Sequence, residues 1–368
     1  MKVFTMIEYN RTRVKTIKGV IFMEYNDEKI KYYLKNILTI PSPSGFTEKV
    51  MDYIKEELHI LNVPYFITNK GAVVITLEGK NKDYERVFSA HIDTLGAMVK
   101  SIKSNGTLSF VPVGGFMMNS IEGENCTIET LDGRKITGTI QSIKPSVHIS
   151  GDEARELKRV PENMEIVIDE KVFSKEDTQK LGIDVGDFVC FSTRTAFTPS
   201  GFVKSRHLDD KASAAIILYA IKYLVENSIE LPYTTSFFIS NYEEVGHGAS
   251  AALPKNIKEF ISVDMGAPGL DQNSSEYAVC ICAKDSSGPY DLELRKKLVN
   301  ICKEQNIPYK IDIYPHYGSD ASAALRAGWD IKTALIGTGV FASHGYERTH
   351  MEGILSTLDL IIKYCQTE

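Results

Sequence analysis

Five short stretches place imidazole or carboxylate groups in an order that strongly limits how the chain can fold. They are Ala90-His91-Ile92-Asp93, His207-Leu208-Asp209-Asp210-Lys211, Tyr242-Glu243-Glu244-Val245-Gly246, Ser262-Val263-Asp264-Met265-Gly266 and Ser343-His344-Gly345-Tyr346. Two neighbouring divalent cations need imidazole nitrogens, carboxylate oxygens, one carboxylate to bridge them and a spare one to move protons. Each stretch alone has an ordinary explanation as a strand end, a helix cap or an acidic turn. The ordered set offers a residue for every post, and it requires a fold that gathers distant strand ends at one place.

Hydrophobic periodicity supplies such a fold. Helical spacing over Asp27–Leu38 stops at Pro41-Ser42-Pro43-Ser44-Gly45, and Thr47 reads as the N-cap of a second helix running through Leu61. Strand-like runs follow at 65–68, 72–77 and 87–91. From Asp209 onward helices alternate with strands: a helix to about Val225, strands over 234–240, 259–264 and 277–283, a helix over 291–305, a strand over 309–314, a helix over 319–327, a strand over 331–336 and a helix over 353–364. This alternation predicts an α/β domain with a mixed central sheet flanked by helices. In such sheets ligands gather beyond the carboxyl ends of the strands, where four of the five stretches fall; Asp209 instead opens a helix.

Between Val111 and Ser200 short alternating segments take over, among them 126–130, 135–143, 165–168 and 188–192, with one short helix expected near 174–181. This texture predicts a small β-barrel inserted into the α/β domain. The expected organisation is therefore an N-terminal extension over 1–25, a catalytic domain over 26–110 and 201–368, and the barrel over 111–200. Met23 is an alternative start.

A 368-residue chain exceeds the usual size of one core, in keeping with two domains. Its net charge of −6 gives no electrostatic reason for a nucleic-acid or anionic-membrane partner. No apolar run approaches the roughly 20 residues needed to span a bilayer. The first residues carry no long apolar core of a secretory signal. Scattered cysteines (126, 190, 280, 282, 302, 365) without CxxC spacing read as packed thiols of a reduced, cytoplasmic protein.

The residues themselves suggest roles. His91 and Asp93 point the same way on a strand, so the carboxylate can lie behind the imidazole and fix its tautomer. Asp209 is assigned to the bridge, with Asp210 as the alternative. Glu243 and Glu244 are adjacent like charges at the end of an apolar strand, a costly arrangement unless a cation or proton compensates. Glu243 is read as general base and Glu244 as ligand. Asp264 fits a terminal ligand. The last imidazole is His344 or His350, with His344 favoured. His316, Tyr317, Tyr346 and Arg348 are expected cleft residues, and His247 a further one.

These ordered motifs resemble metallopeptidase family 42, the tetrahedral and glutamyl aminopeptidases. The resemblance runs from about Asp27 to the end and includes Pro43-Ser44-Gly45, Val113-Gly114-Gly115 and Gly318-Ser319-Asp320-Ala321. Asp285-Ser286-Ser287-Gly288-Pro289 and the 343–350 stretch resemble a branch labelled osmoprotectant-system peptidases. The resemblance implies a zinc-aminopeptidase type of fold and two divalent cations per subunit, zinc first and cobalt or manganese as alternatives. It implies His91, Asp209 and Asp264 around one cation, and Asp209, Glu244 and His344 around the other. Glu243 would be the general base, and Asp93 would support His91. Peptide substrates and a homo-oligomer, dodecamer or dimer, are implied as well. Gly345-Tyr346 departs from the usual Ser-Pro after the last histidine. A deacylase of N-acyl amino acids and a catalytically silent assembly protein are the rival readings.

Overall fold

The computed structural model describes residues 14–17, 20–23 and 25–368. Of the expected N-terminal extension, 1–25, it describes the antiparallel pair Val14–Ile17 and Val20–Met23, together with Tyr25; the rest lies outside the described residues.

Local chemistry explains the first helix, Asp27–Thr39. The Asn26 side chain accepts from Lys29 N at 3.1 Å, and Asp27 and Glu28 place negative charge in the first turn. Ile30, Tyr33, Leu34, Ile37 and Leu38 form one buried stripe. The next helix, Glu48–Ile60, lacks the expected cap: Thr47 adopts a helical conformation and makes no side-chain capping bond. Helix Leu208–Glu226 is buried on nearly all sides, packed between Asp27–Thr39, Met351–Cys365 and the sheet.

The sheet carries the site. Strands Leu231–Ser240, Gly79–His91, Ile257–Val263 and Lys332–Thr338 lie side by side in that order, all parallel. Val73–Leu77 and Tyr65–Ile67 extend one edge antiparallel, and Val279–Asp285 extends the other. One apolar core packs this sheet against the long helices, and a smaller one lies beneath helix Asp320–Arg326. The mixed α/β expectation holds. Close approach makes glycine necessary at 337, where an added Cβ would lie 1.5 Å from the Asp264 carbonyl oxygen.

The inserted domain is a closed six-stranded barrel with its own core. Its limits differ from those expected. Strands Gly96–Ile102 and Leu108–Val113 already belong to it, with Ala97, Val99, Leu108 and Phe110 in its interior. The insertion therefore starts near Gly96 rather than 111, because this first hairpin is as apolar as the sheet strand it follows. Its last strand is Phe188–Phe191; Ala196–Phe197 and Phe202–Ser205 join Glu347–His350 in a separate small sheet. Besides the expected short helix, Lys175–Lys180, the insertion holds Val147–Ser150 and Asp152–Glu156, too short to show helical periodicity.

Candidate active site

The four parallel strands deliver side chains to one edge. His91 ends its strand, Asp264 follows Ile257–Val263 directly, and Glu243-Glu244 lie in the turn after Leu231–Ser240. His344 sits in the loop between Lys332–Thr338 and Glu347–His350. Pairing of Phe202–Ser205 with Glu347–His350 then brings the segment leading into Asp209 beside that loop. Asp209 and Asp210 have non-helical backbone angles, so regular helix begins after them and Asp209 is free to face the cleft.

The groups converge. Asp209 Oδ1 lies 3.3 Å from His91 Nε2, and Asp209 Oδ2 lies 3.3 Å from His344 Nε2. Glu244 Oε2 is 3.6 Å from His344 Nε2, and Glu243 Oε2 is 3.7 Å from His91 Nε2. Ligand atoms of His91, Asp209 and Asp264 all fall within 4.8 Å of one another. One carboxylate thus offers an oxygen to each of two imidazoles.

Both imidazoles are oriented by carbonyl groups. His91 Nδ1 contacts Asp93 O at 2.9 Å, and His344 Nδ1 contacts Gly115 O at 2.5 Å. A carbonyl can only accept, so each Nδ1 carries a proton and each Nε2 faces the cleft, with a lone pair to offer a cation once its own proton has left. This is the tautomer a metal-ligating histidine needs. The expectation for Asp93 changes in one respect: its backbone carbonyl fixes His91, while its carboxylate oxygen stays 3.6 Å away. That carboxylate instead accepts the amides of Glu243 and Glu244, at 3.1 and 3.2 Å, and the Ser44 hydroxyl.

The alternatives separate by geometry. Asp210 Oδ2 accepts His91 N at 3.1 Å, below the cleft rather than in it. His350 uses both nitrogens elsewhere: Nδ1 accepts from Glu352 N at 3.1 Å and Nε2 donates to Ser200 O at 2.7 Å, capping the last helix.

Electrostatics leave the cleft short of positive charge. Burial, with Asp209 adding repulsion, pushes Glu244 up to about 8 and Asp264 up to about 7. Glu243, Asp210 and Glu347 are raised too, each chiefly by burial. Glu244 Oε1 is buried without any hydrogen-bond partner. Imidazoles with their Nε2 freed, an orphaned carboxylate oxygen and excess buried acid fit divalent cations.

A cavity of about 610 Å³ opens over these groups. It is lined by Asp209, Glu243, Glu244, Asp264 and His344, by Gly115–Met117 from the barrel connection, and by His316, Tyr317 and Arg326. Of the expected cleft residues, His316 and Tyr317 line it. Tyr346 instead donates to Arg194 O at 3.0 Å, Arg348 pairs with Glu276 at 2.8 Å, and His247 stacks on Tyr242.

Sequence reasoning missed two supporting carboxylates. Asp320 accepts the hydroxyls of Ser89 and Ser240 at 2.7 and 2.6 Å and Ala249 N at 2.9 Å, tying two catalytic strands to the loop beyond Glu244. Glu347 accepts the amides of Asp209 and His344. The Gly318–Ala321 and 343–350 motifs contained both residues but gave no sign of these partners.

The family model described as M42 glutamyl aminopeptidase matches residues 71–360. The chain belongs to the M42 family. The protein described as "Putative aminopeptidase YhfE" of Bacillus subtilis (strain 168) is 50% identical over 334 residues, covering 91% of this chain and 96% of that protein. A TET aminopeptidase from a marine-sediment Thaumarchaeota archaeon superposes with a TM-score of 0.84 at 21% identity, covering 93% of this chain and 97% of that one, a likeness of fold. The dodecameric PhTET1-12s structure gives a TM-score of 0.79 at 25% identity, covering 92% and 99%. Among the described residues of this M42 member no helix is long and apolar enough to cross a membrane, and its six cysteines are unpaired and buried.

Proposed function

We propose that the chain is a dinuclear metal-dependent aminopeptidase that removes N-terminal residues from peptides. The observation that carries this reading is the Asp209 carboxylate, set between two imidazoles whose other nitrogens are already committed. His91, Asp209 and Asp264 would hold one cation, and Asp209, Glu244 and His344 the other. When bound, such cations polarise the scissile carbonyl and make a water acidic enough to act near neutral pH. The mixed nitrogen and oxygen donors suit zinc, and also cobalt or manganese.

Glu243 does the proton work. It stands beside His91 at a turn fixed by Asp93, and the low-dielectric, acidic surroundings raise its half-buried carboxyl well above the ordinary carboxylate range. It takes the proton of the attacking water and returns it to the leaving amine, a role worth about 10²–10⁴-fold. The surplus of buried carboxylate around the cleft favours a cationic α-amine over a capped terminus. The relatives' TET assemblies support a homo-oligomer here too, which light scattering of the purified chain measures.

The test is hydrolysis of aminoacyl p-nitroanilides and dipeptides, each with a free or an N-acetylated amine, by protein reconstituted with zinc, cobalt or manganese. Turnover confined to the free-amine set is the expected result. Preference for the acetylated set would transfer the site to a deacylase, and inertness in every metal would leave a silent assembly protein.

A further inference from the structure

Glu347 opens the strand Glu347–His350 and is 2% exposed. Both its oxygens are committed to backbone amides of two residues that meet at the cleft. Oε2 accepts from Asp209 N at 3.2 Å and Oε1 from His344 N at 2.9 Å. Since both partners are N–H donors, both side-chain atoms must be acceptors. A carboxylate meets that demand and a side-chain amide does not.

The surroundings make this double contact more than local tidying. His344 has φ +62°, a left-handed conformation that L-residues seldom adopt, and the turn that contains it closes through Gly345 N to Ala342 O at 3.0 Å. Ser205 pairs directly with Glu347, so the chain entering Asp209 runs antiparallel beside the chain leaving His344, and Glu347 sits where the two meet. His344 is the least buried of the converging groups, its side chain 39% exposed against 2% for His91. Its place is therefore set by hydrogen bonds rather than by packing.

We infer that Glu347 is a positioning residue for the second cation. By holding the amides of Asp209 and His344 on one carboxylate, it keeps Asp209 Oδ2, His344 Nε2 and Glu244 Oε2 within reach of a single ion. The inference rests on the two-cation reading proposed above. Glu347 touches no substrate, and of the first cation's ligands it holds only Asp209, through its amide, while His91 and Asp264 are set by their own strands. Loss of Glu347 should therefore weaken the second cation, which loses the placing of two ligands, far more than the first.

The experiment loads the full chain with Mn(II) and reads stoichiometry by equilibrium dialysis and spin coupling by electron paramagnetic resonance. Wild type should bind two ions with an exchange-coupled spectrum. Glu347→Gln should keep the first ion and bind the second about 10–100-fold more weakly, the usual cost of losing an outer partner of a ligand. Its spectrum should be that of an isolated ion. Glu347→Asp, which keeps the charge but is too short to reach both amides, should fall between the two. It also supplies the reading should the Gln variant not fold. A Gln or folded Asp variant with wild-type affinity and a coupled spectrum overturns the inference alone. Wild type that binds no second ion overturns the two-cation reading along with it.

Discussion

The Asp93 carboxylate accepts the backbone amide of Glu243 at 3.1 Å, so the turn that carries the proposed general base hangs from the strand that carries His91. The same carboxylate takes the Glu244 amide at 3.2 Å. Asp93→Asn removes one of these acceptors without changing side-chain size. The expected result is a kcat about 10–100-fold lower with KM little changed. Steady-state kinetics beside metal analysis checks it, and an unchanged kcat would deny Asp93 this role.

The two candidate histidines should behave oppositely. His344→Ala should lose the second cation with most of the activity. His350→Ala should retain both cations and instead lower the unfolding midpoint, at a cost of about 1 kcal/mol for the lost helix cap. Dialysis with thermal unfolding separates the pair. Loss of metal in the His350 variant alone would reverse the assignment.

Asp209 and Asp210 are separable in the same way. Asp209→Asn removes the charge shared between the imidazoles, and both cations should be lost, with no turnover detected. Asp210→Asn leaves an oxygen able to accept His91 N, so metal content should persist and activity fall only a few-fold. Equal metal loss in both variants would contradict the geometry.

The metal-free chain should have a distinctive pH dependence. Glu244 is raised from 4.5 to about 8 and Asp264 from 3.8 to about 7, in each case by burial and then by Asp209. For His344 burial works downward, but its hydrogen bond to Asp209 and the charges of Asp209 and Glu244 outweigh this and lift it to about 10. All three folded values exceed the unfolded ones, so between about pH 4 and about pH 10 the folded chain binds the extra protons and loses stability as pH rises. Asp209 is shifted downward and acts oppositely, but only in more acidic solution. After chelation the Tm should fall from about pH 6 to about pH 9, and cation loading should release protons and remove the slope. A metal-free Tm that climbs over this interval would refute the electrostatic picture.

Much of this was legible in sequence because the parallel strands are apolar to their ends. A histidine or carboxylate following Phe88-Ser89-Ala90 or Ile261-Ser262-Val263 stands out against such runs, and both strands end at the cleft as expected. What stayed hidden acts through the backbone. Glu347 meets Asp209 across a separation of 138 positions, and Asp93 meets the imidazole ring with its backbone carbonyl while its carboxylate holds amides. Side-chain spacing carries no record of such contacts. The barrel's start at Gly96 was masked for another reason: its first hairpin has the same apolar texture as the sheet.

The central claim is that the five converging ligands hold two cations while Glu243 moves the proton, and Glu243→Gln tests it most directly. Cation content and hydrolysis of a free-amine aminoacyl p-nitroanilide should be measured on the same reconstituted samples of wild type and variant. Two cations per chain in both, with turnover lower by about 10²–10⁴-fold in the variant alone, is the predicted outcome. Wild-type turnover in Glu243→Gln, or a wild-type chain that is active without divalent cations, would contradict it.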